Sequence, residues 1–350
     1  MRVGILTFHN TPNIGASLQC AALARFLSSL GHDVEVINYA PLRTRWKYLE
    51  WMFKGKNRSI RHVGRMLKLK DYFKSHVHLS GRAIFTHKQL TRHCGDTYDA
   101  LVIGSDEVWK ENALRRFDTA YFGSFVSPET TRIIMYAPSS SAESALVKNA
   151  ATIAPLLQQM HAISVRDAQT GQELTQTYGI EAPQVLDPTL LEPFTEETHV
   201  APPFPNYLAV YAEKTETHTQ ALRAFADRNG LKLVGLGFEN PAFDKCYVGL
   251  GPGEWMSLMR QSSAVFTHFY HGIIFALIYG RPLYAHVDNS KRHKVRNLIE
   301  IVGLEHLLHA TPDQISEKTL DDLAYPASQL QRIDPMVAQS RAYLKQALSS

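Results

Sequence analysis

The run Arg2-Val3-Gly4-Ile5-Leu6-Thr7-Phe8 leads into the turn-rich stretch His9-Asn10-Thr11-Pro12-Asn13-Ile14-Gly15, and from there into Ala16-Ser17-Leu18-Gln19-Cys20-Ala21-Ala22-Leu23. Residues 2–8 are mostly apolar and of strand length, which suits a strand buried on both faces. Leu18, Ala22, Leu23, Phe26 and Leu27 recur at helical spacing, and Gly31 closes that helix. Val34-Glu35-Val36-Ile37 then reads as the next strand. Strand, loop, helix and strand in succession make a βαβ unit, which implies a parallel sheet.

The same grammar continues. Further strands are expected at Ala100–Ile103, Arg132–Met135, Ala162–Val165 and Gln184–Leu186. Prolines 193, 202, 203 and 205 interrupt helix and strand near residues 192–206, and a second βα series follows. Its strands are expected at Tyr207–Tyr211, Lys232–Gly235, Ala264–Thr267 and Pro282–His286, with helices near 217–229, 253–261, 273–280 and 291–302. A length of 350 residues favours two domains. The expected division is an α/β domain over 1–197, a second over 206–330, and a C-terminal helix in 331–350 packing back on the first. In open α/β sheets the loops at the carboxyl ends of the strands form the ligand crevice.

Hydrophobic residues are 45% and charged residues 20% of the chain, the balance of a globular protein. A formal net charge of +4 suits anionic small ligands and falls short of the dense basic stripe of a nucleic-acid binder. Cys20, Cys94 and Cys246 are scattered, which argues against a disulfide framework and fits a reducing compartment. No signal peptide or membrane-spanning run is read, so the expected location is the cytoplasm, at most resting on the inner face of the plasma membrane. Residues 43–75 are basic and aromatic, with Trp46, Trp51 and Phe53 among eleven lysines and arginines. Two readings stay open for them: peripheral contact with anionic lipid or a lipid-linked acceptor, and a solvated helix-and-loop insertion.

Six segments carry candidate chemistry. Asn10 to Gly15 joins a strand to a helix N-terminus, where free N–H groups receive a phosphate, a carboxylate or sugar hydroxyls; alternatively Asn10 and Asn13 only build the turn and cap the helix. Neither a GxGxxG fingerprint nor a Walker sequence occurs. Gly104-Ser105-Asp106-Glu107-Val108-Trp109 follows a strand and puts the Asp106 carboxylate at the crevice, unless Asp106 is a cap and Trp109 core. Ser139 and Ser140 offer donors to an anion or cap the next helix. Arg166 ends a strand, where it either forks onto an anion or pairs with Asp167 or another acid. Asp187, before Pro188, reads as a structural turn. Thr267-His268-Phe269-Tyr270-His271-Gly272 runs from a strand into a helix expected to start near Gly272, with His271 at the switch. His268 and His271 have no matching acid or cysteine, so no metal site is expected.

Taken in order, these segments resemble the polysaccharide pyruvyl transferase family. The resemblance rests on Gly4-Ile5-Leu6-Thr7-Phe8-His9-Asn10 with Asn13-Ile14-Gly15-Ala16-Ser17-Leu18-Gln19, on Gly104-Ser105-Asp106-Glu107-Val108-Trp109-Lys110, on Met135-Tyr136-Ala137-Pro138-Ser139, on Ile163-Ser164-Val165-Arg166-Asp167, on Val185-Leu186-Asp187-Pro188-Thr189, and on Tyr270-His271-Gly272 through Phe275 to Pro282. Glu107 and Lys110 stand where amides are usual in the family. The resemblance implies two Rossmann-like domains facing a cleft, as in B-type glycosyltransferases, and no cofactor beyond the donor substrate, phosphoenolpyruvate. It implies a sugar or lipid-linked oligosaccharide acceptor and a cyclic pyruvate ketal as product, in cell-envelope exopolysaccharide synthesis. His271 and Arg166 would meet the donor anions, with His271 the acid and Asp106 a base or acceptor binder. Asn10, Asn13, Gly15 and Gln19 would lie on the acceptor side, with Ser139 and Ser140 as further contacts. Several members carry an arginine where Phe269 stands. Arg281, His268 or a residue of Lys291-Arg292-His293-Lys294 is then expected to supply the positive charge. Two rivals remain: a nucleotide-sugar glycosyltransferase of similar fold, and an inactive glycan- or anion-binding relative.

Overall fold

A computed structural model describes residues 1–53, 60–111, 116–140, 144–194, 198–286 and 292–349. The chain divides into two compact units. Unit 1 comprises Met1–Arg58, Lys70–Pro193 and Pro335–Ser350; unit 2 comprises Ser59–Leu69 and Phe194–Asp334. Residues 59–69, which the sequence places in the first domain, therefore group with the second.

Unit 1 holds a five-stranded sheet of β1 (Arg2–Leu6), β2 (Asp33–Val36), β3 (Ala100–Asp106), β4 (Arg132–Pro138) and β5 (Ala162–Ile163). The order is β2-β1-β3-β4-β5 and every pair is parallel. The chain leaves β1 for β2 on one side and then crosses to β3 on the other. Loops leaving β1 and β3 thus diverge, and the gap between them is the natural ligand crevice of such a sheet. The segment Gln184–Leu186, expected as a strand, makes only an isolated bridge at Val165 and Gln184, because Pro183 and Pro188 flank it and supply no N–H to a ladder.

The core of unit 1 includes Trp109 and Phe122. Trp109 is fully buried and stacks on Phe122 at 5.6 Å, so it anchors the loop after β3. The helix Asp334–Ser349 belongs to the same unit: the Tyr343 hydroxyl donates to Met135 O (2.8 Å), and Ser340 Oγ accepts from Leu186 N (2.9 Å).

Unit 2 repeats the plan with β6 (Tyr207–Tyr211), β7 (Lys232–Leu236), β8 (Lys245–Tyr247), β9 (Ala264–Thr267), β10 (Leu283–His286) and β11 (Leu308–His309). Its order is β11-β10-β9-β6-β7-β8, again all parallel. Here the reversal falls between β6 and β9. β8 and β11 escape a reading by pattern, since two or three residues show no periodicity.

The basic stretch 43–75 is only partly described, residues 54–59 lying outside the described set. Trp46 is exposed, whereas Leu69, Tyr72 and Phe73 are buried in the helix Ile60–His76. No described helix is long and apolar enough to cross a membrane. Among the described residues no group of histidines, cysteines and acids is arranged to hold a metal ion.

Candidate functional site

In unit 1 the strand-end loops are tied side to side. Thr7 Oγ1 donates to Ser105 O (3.2 Å) and accepts from Gln19 Nε2 (3.0 Å). Ser139 N donates to Asp106 O (3.0 Å), and Arg166 N donates to Pro138 O (3.1 Å). Ser105 and Ala137 hold φ of 48° and 50°, a left-handed backbone that costs a non-glycine residue about 1–3 kcal/mol. Gly104 has φ 120°, and a Cβ there would come within 2.5 Å of Tyr136 O. Backbone strain of this kind clusters at functional sites.

These loops bring Asn10, Asn13, Asp106, Ser139, Ser140 and Arg166 to one edge, with different degrees of access. Asn10 and Asn13 are exposed. Asn13 also caps the helix Ile14–Ser29, its Oδ1 accepting from Gly15 N (2.9 Å). Asp106 is half-buried and its Oδ1 accepts from Glu107 N (2.8 Å). The unusual Glu107 and Lys110 pair with each other at 3.5 Å. Gly15 and Gln19 lie within the unit, and Gln19 orients Thr7 and the loop instead of facing outward. Ser139 and Ser140 are buried, Ser140 N donating to Thr170 Oγ1 (3.1 Å). Arg166 pairs with Asp187 at 3.1 Å, the two side chains being 1% and 0% exposed. Of the two sequence readings of Arg166, the acid partner is the one formed, and the acid is Asp187.

One residue of this edge escaped the sequence reading as a site member. His9 is buried, with Nδ1 3.2 Å from Thr7 O and Nε2 3.4 Å from Asn38 Oδ1. Burial outweighs both hydrogen bonds and lowers its pKa from 6.5, so the imidazole is neutral at neutral pH. Its position directly before Asn10 in the turn was the available signal.

The edge of unit 2 gathers around the end of β9. The helix Tyr270–Ile278 begins two residues earlier than its glycine suggested, so His271 is its second residue. Phe269 occupies the cap position without a side-chain bond, and its N–H donates to Thr267 Oγ1 (3.1 Å). Thr267 in turn donates to Tyr211 O (2.7 Å) at the end of β6. A Cβ on Gly272 would meet Thr267 Oγ1 at 2.3 Å, so glycine is what lets the helix approach the strand so closely. His271 is 8% exposed, beside N-terminal N–H groups that carry the positive end of the helix dipole. The Lys294 ammonium lies 5.5 Å from the Tyr270 ring centre. Phe269, Phe238 and Tyr211 form an aromatic floor, Phe238 and Phe269 stacked at 5.5 Å.

The polysaccharide pyruvyl transferase profile matches residues 13–290. The chain belongs to this family. No curated protein sequence shows significant similarity to it. Solved structures show the likeness at the level of fold. The spinosyn rhamnosyltransferase SpnG superposes with TM-score 0.52 at 11% identity, covering all of both chains. The glycosyltransferase SnogD from Streptomyces nogalater gives 0.50 at 12%, again over both whole chains. The UDP-GlcNAc 2-epimerase from Methanocaldococcus jannaschii gives 0.50 at 11%, over 97% of this chain and 100% of its own. This pyruvyl transferase family member thus has the two parallel-sheet units of the B-type glycosyltransferase fold.

The positive charge sought near Phe269 is distributed differently from the sequence expectation. Arg281 stands before β10, at the opposite edge of the sheet from His271, with its Nε donating to Tyr279 O (2.9 Å) and NH1 to Ser262 O (3.3 Å). The nine-residue helix between them, about 14 Å long, keeps it from joining His271. Lys291 lies outside the described residues, and of Arg292 only its place at the start of the helix Arg292–Val302 is described. His268 follows β9 directly, its ring 4.3 Å from that of Phe269. From the 291–294 group the structure brings Lys294 to this edge. It also brings Arg65, which the sequence offered only as one of many charges in a basic stretch. Its guanidinium lies 5.9 Å from the Phe238 ring centre.

Proposed function

We propose that this chain transfers the enolpyruvyl group of phosphoenolpyruvate to a sugar or glycan with two suitably placed hydroxyls, closing a cyclic pyruvate ketal on a cell-surface polysaccharide precursor in the cytoplasm. The observation that carries the reading is His271 at the N-terminal turn of the helix Tyr270–Ile278, inside the family-matched region, with Lys294 packed on the adjacent Tyr270. A phosphate and a carboxylate are what such a helix end and two cations suit.

In this reading the donor anions meet the His271 edge of unit 2. His271, as imidazolium, protonates the methylene carbon of the enol, which becomes the methyl group. The carbon bearing phosphate and carboxylate turns oxocarbenium-like. One sugar hydroxyl adds there and loses its proton to a base. The C–O bond to phosphate then breaks, inorganic phosphate departs, and the second hydroxyl adds at the same carbon and loses its proton. Asn10 and Asn13, both exposed, are the proposed contacts to acceptor hydroxyls. Arg166 acts from inside unit 1, holding Asp187 and the loop ends, as a positioning residue.

Isothermal titration with phosphoenolpyruvate tests the reading, with His271→Ala as control. Saturable binding by the wild type that the variant loses supports it. Removing a general acid is further expected to cost roughly 100- to 10,000-fold in turnover once an acceptor is identified. A folded wild type that ignores phosphoenolpyruvate but binds a nucleotide sugar moves the chain to the glycosyltransferase reading.

A further inference from the structure

We infer that Arg65 is a donor-binding residue: its guanidinium, set over Phe238 at the carboxyl edge of the unit 2 sheet, receives an oxyanion of the substrate. The inference rests on the donor reading above and extends it to a residue outside the family's motif segments.

Arg65 is 4% exposed, on the part of the helix Ile60–His76 that groups with unit 2. A guanidinium carries five N–H donors. Here one of them makes a long bond, from NH1 to Gly237 O at 3.4 Å, and the buried Nε has no partner. Among the described residues no carboxylate lies within ion-pair distance of it. The attraction of the exposed Glu213 carboxylate is outweighed by desolvation of the buried guanidinium. Arg166 shows how this fold treats a structural arginine, with a buried aspartate at 3.1 Å. A buried cation without such a counterion is costly, and a ligand oxyanion would supply the missing charge.

The surroundings fit that ligand. Gly237, at φ 85°, adopts a left-handed backbone that favours glycine and lies against the guanidinium, a Cβ built there standing in ordinary contact with NH2 (3.4 Å) and NH1 (3.6 Å). Phe238 supports its face, and Phe238 stacks on Phe269, the cap residue of the helix that carries His271. A flat cation, an aromatic floor and a helix N-terminus suit a small planar molecule with oxyanions at its ends, which describes an enol phosphate bearing a carboxylate. Arginine grips either group with two parallel N–H bonds, which lysine does not.

The test is isothermal titration of wild type, Arg65→Gln and Arg65→Lys with phosphoenolpyruvate, inorganic phosphate and pyruvate, with thermal melting alongside. The expected result is a loss of phosphoenolpyruvate affinity of roughly 10- to 100-fold in R65Q, less in R65K, with a melting temperature in R65Q no lower than wild type. Whichever of phosphate or pyruvate loses binding in R65Q names the oxyanion held. Unchanged phosphoenolpyruvate affinity in R65Q overturns the inference and leaves the donor reading standing; if R65Q does not fold, R65K is read by the same criterion. Arg65-dependent binding of phosphate or pyruvate by a wild type that ignores phosphoenolpyruvate supports the anion site and overturns the donor reading. No binding of any of the three overturns both.

Discussion

A methyl group at residue 272 would stand 2.3 Å from Thr267 Oγ1 and 2.9 Å from the Tyr211 ring. Neither neighbour can give way easily, because the Thr267 hydroxyl both donates to Tyr211 O and accepts from Phe269 N. Gly272→Ala is therefore expected to destabilise unit 2 by about 1–3 kcal/mol, the usual cost of overpacking. It should also weaken phosphoenolpyruvate binding, since the helix must move and carries His271 with it. Urea unfolding and the donor titration read the two effects, and a variant with wild-type values in both would refute the close-approach argument. Asp187 presents the opposite case. Its Oδ2 faces Arg166 and its Oδ1 accepts from Thr189 N and Oγ1 (3.0 and 2.7 Å). Asp187→Ala leaves a buried guanidinium without its acid, and a loss of about 3–5 kcal/mol is expected in denaturant unfolding. Stability within experimental error of wild type would mean that Arg166 is not held by this pair.

At the scale of the element, Asn13, Arg166 and His271 stand where a strand hands over to a helix. The helix Ile14–Ser29 announced itself through Asn13, whose side chain caps it. Asn13→Ala should cost about 1 kcal/mol, within the 0.5–2 kcal/mol range of such caps, and it should leave donor binding unchanged because the cap belongs to unit 1. Equal unfolding midpoints for the two proteins would count against a stabilising cap. The helix Tyr270–Ile278 gave no such notice: Phe269 is not a capping residue type, so the glycine two residues into the helix looked like its start. The same limit hid β8 and β11, and it promoted Gln184–Leu186 to a strand. Apolar character was legible there, but partnership with a neighbouring strand is a property of the sheet.

At the scale of the whole molecule, four imidazoles with lowered pKa, those of His9, His32, His161 and His309, link stability to pH, and His9 and His309 are the most deeply buried of them. Burial lowers the pKa of His9 in unit 1, and burial reinforced by Lys318, His306 and His286 pushes that of His309 in unit 2 down to about 4. Between those folded values and 6.5 the unfolded chain binds more protons than the folded one. The contribution of these groups is thus fully present above about pH 6.5 and is lost as pH falls toward about 4. Unfolding midpoints measured down that range should decline, and His309→Gln should flatten part of the decline; an unaltered slope would remove His309 as a cause. The sequence by itself determined the two βα series, the segments that lie at their carboxyl edges, and the family. It could do so because apolar runs, helical spacing and glycine-bearing turns are local consequences of backbone geometry. Only the tertiary structure decided which charged groups meet. Arg166 turned to Asp187, Arg281 went to the far edge of its sheet, Lys294 came to Tyr270, and Arg65 arrived beside Phe238 from a helix more than 170 residues away. Charge pairing depends on distance in space and on burial, and neither is encoded in the neighbours of a residue along the chain.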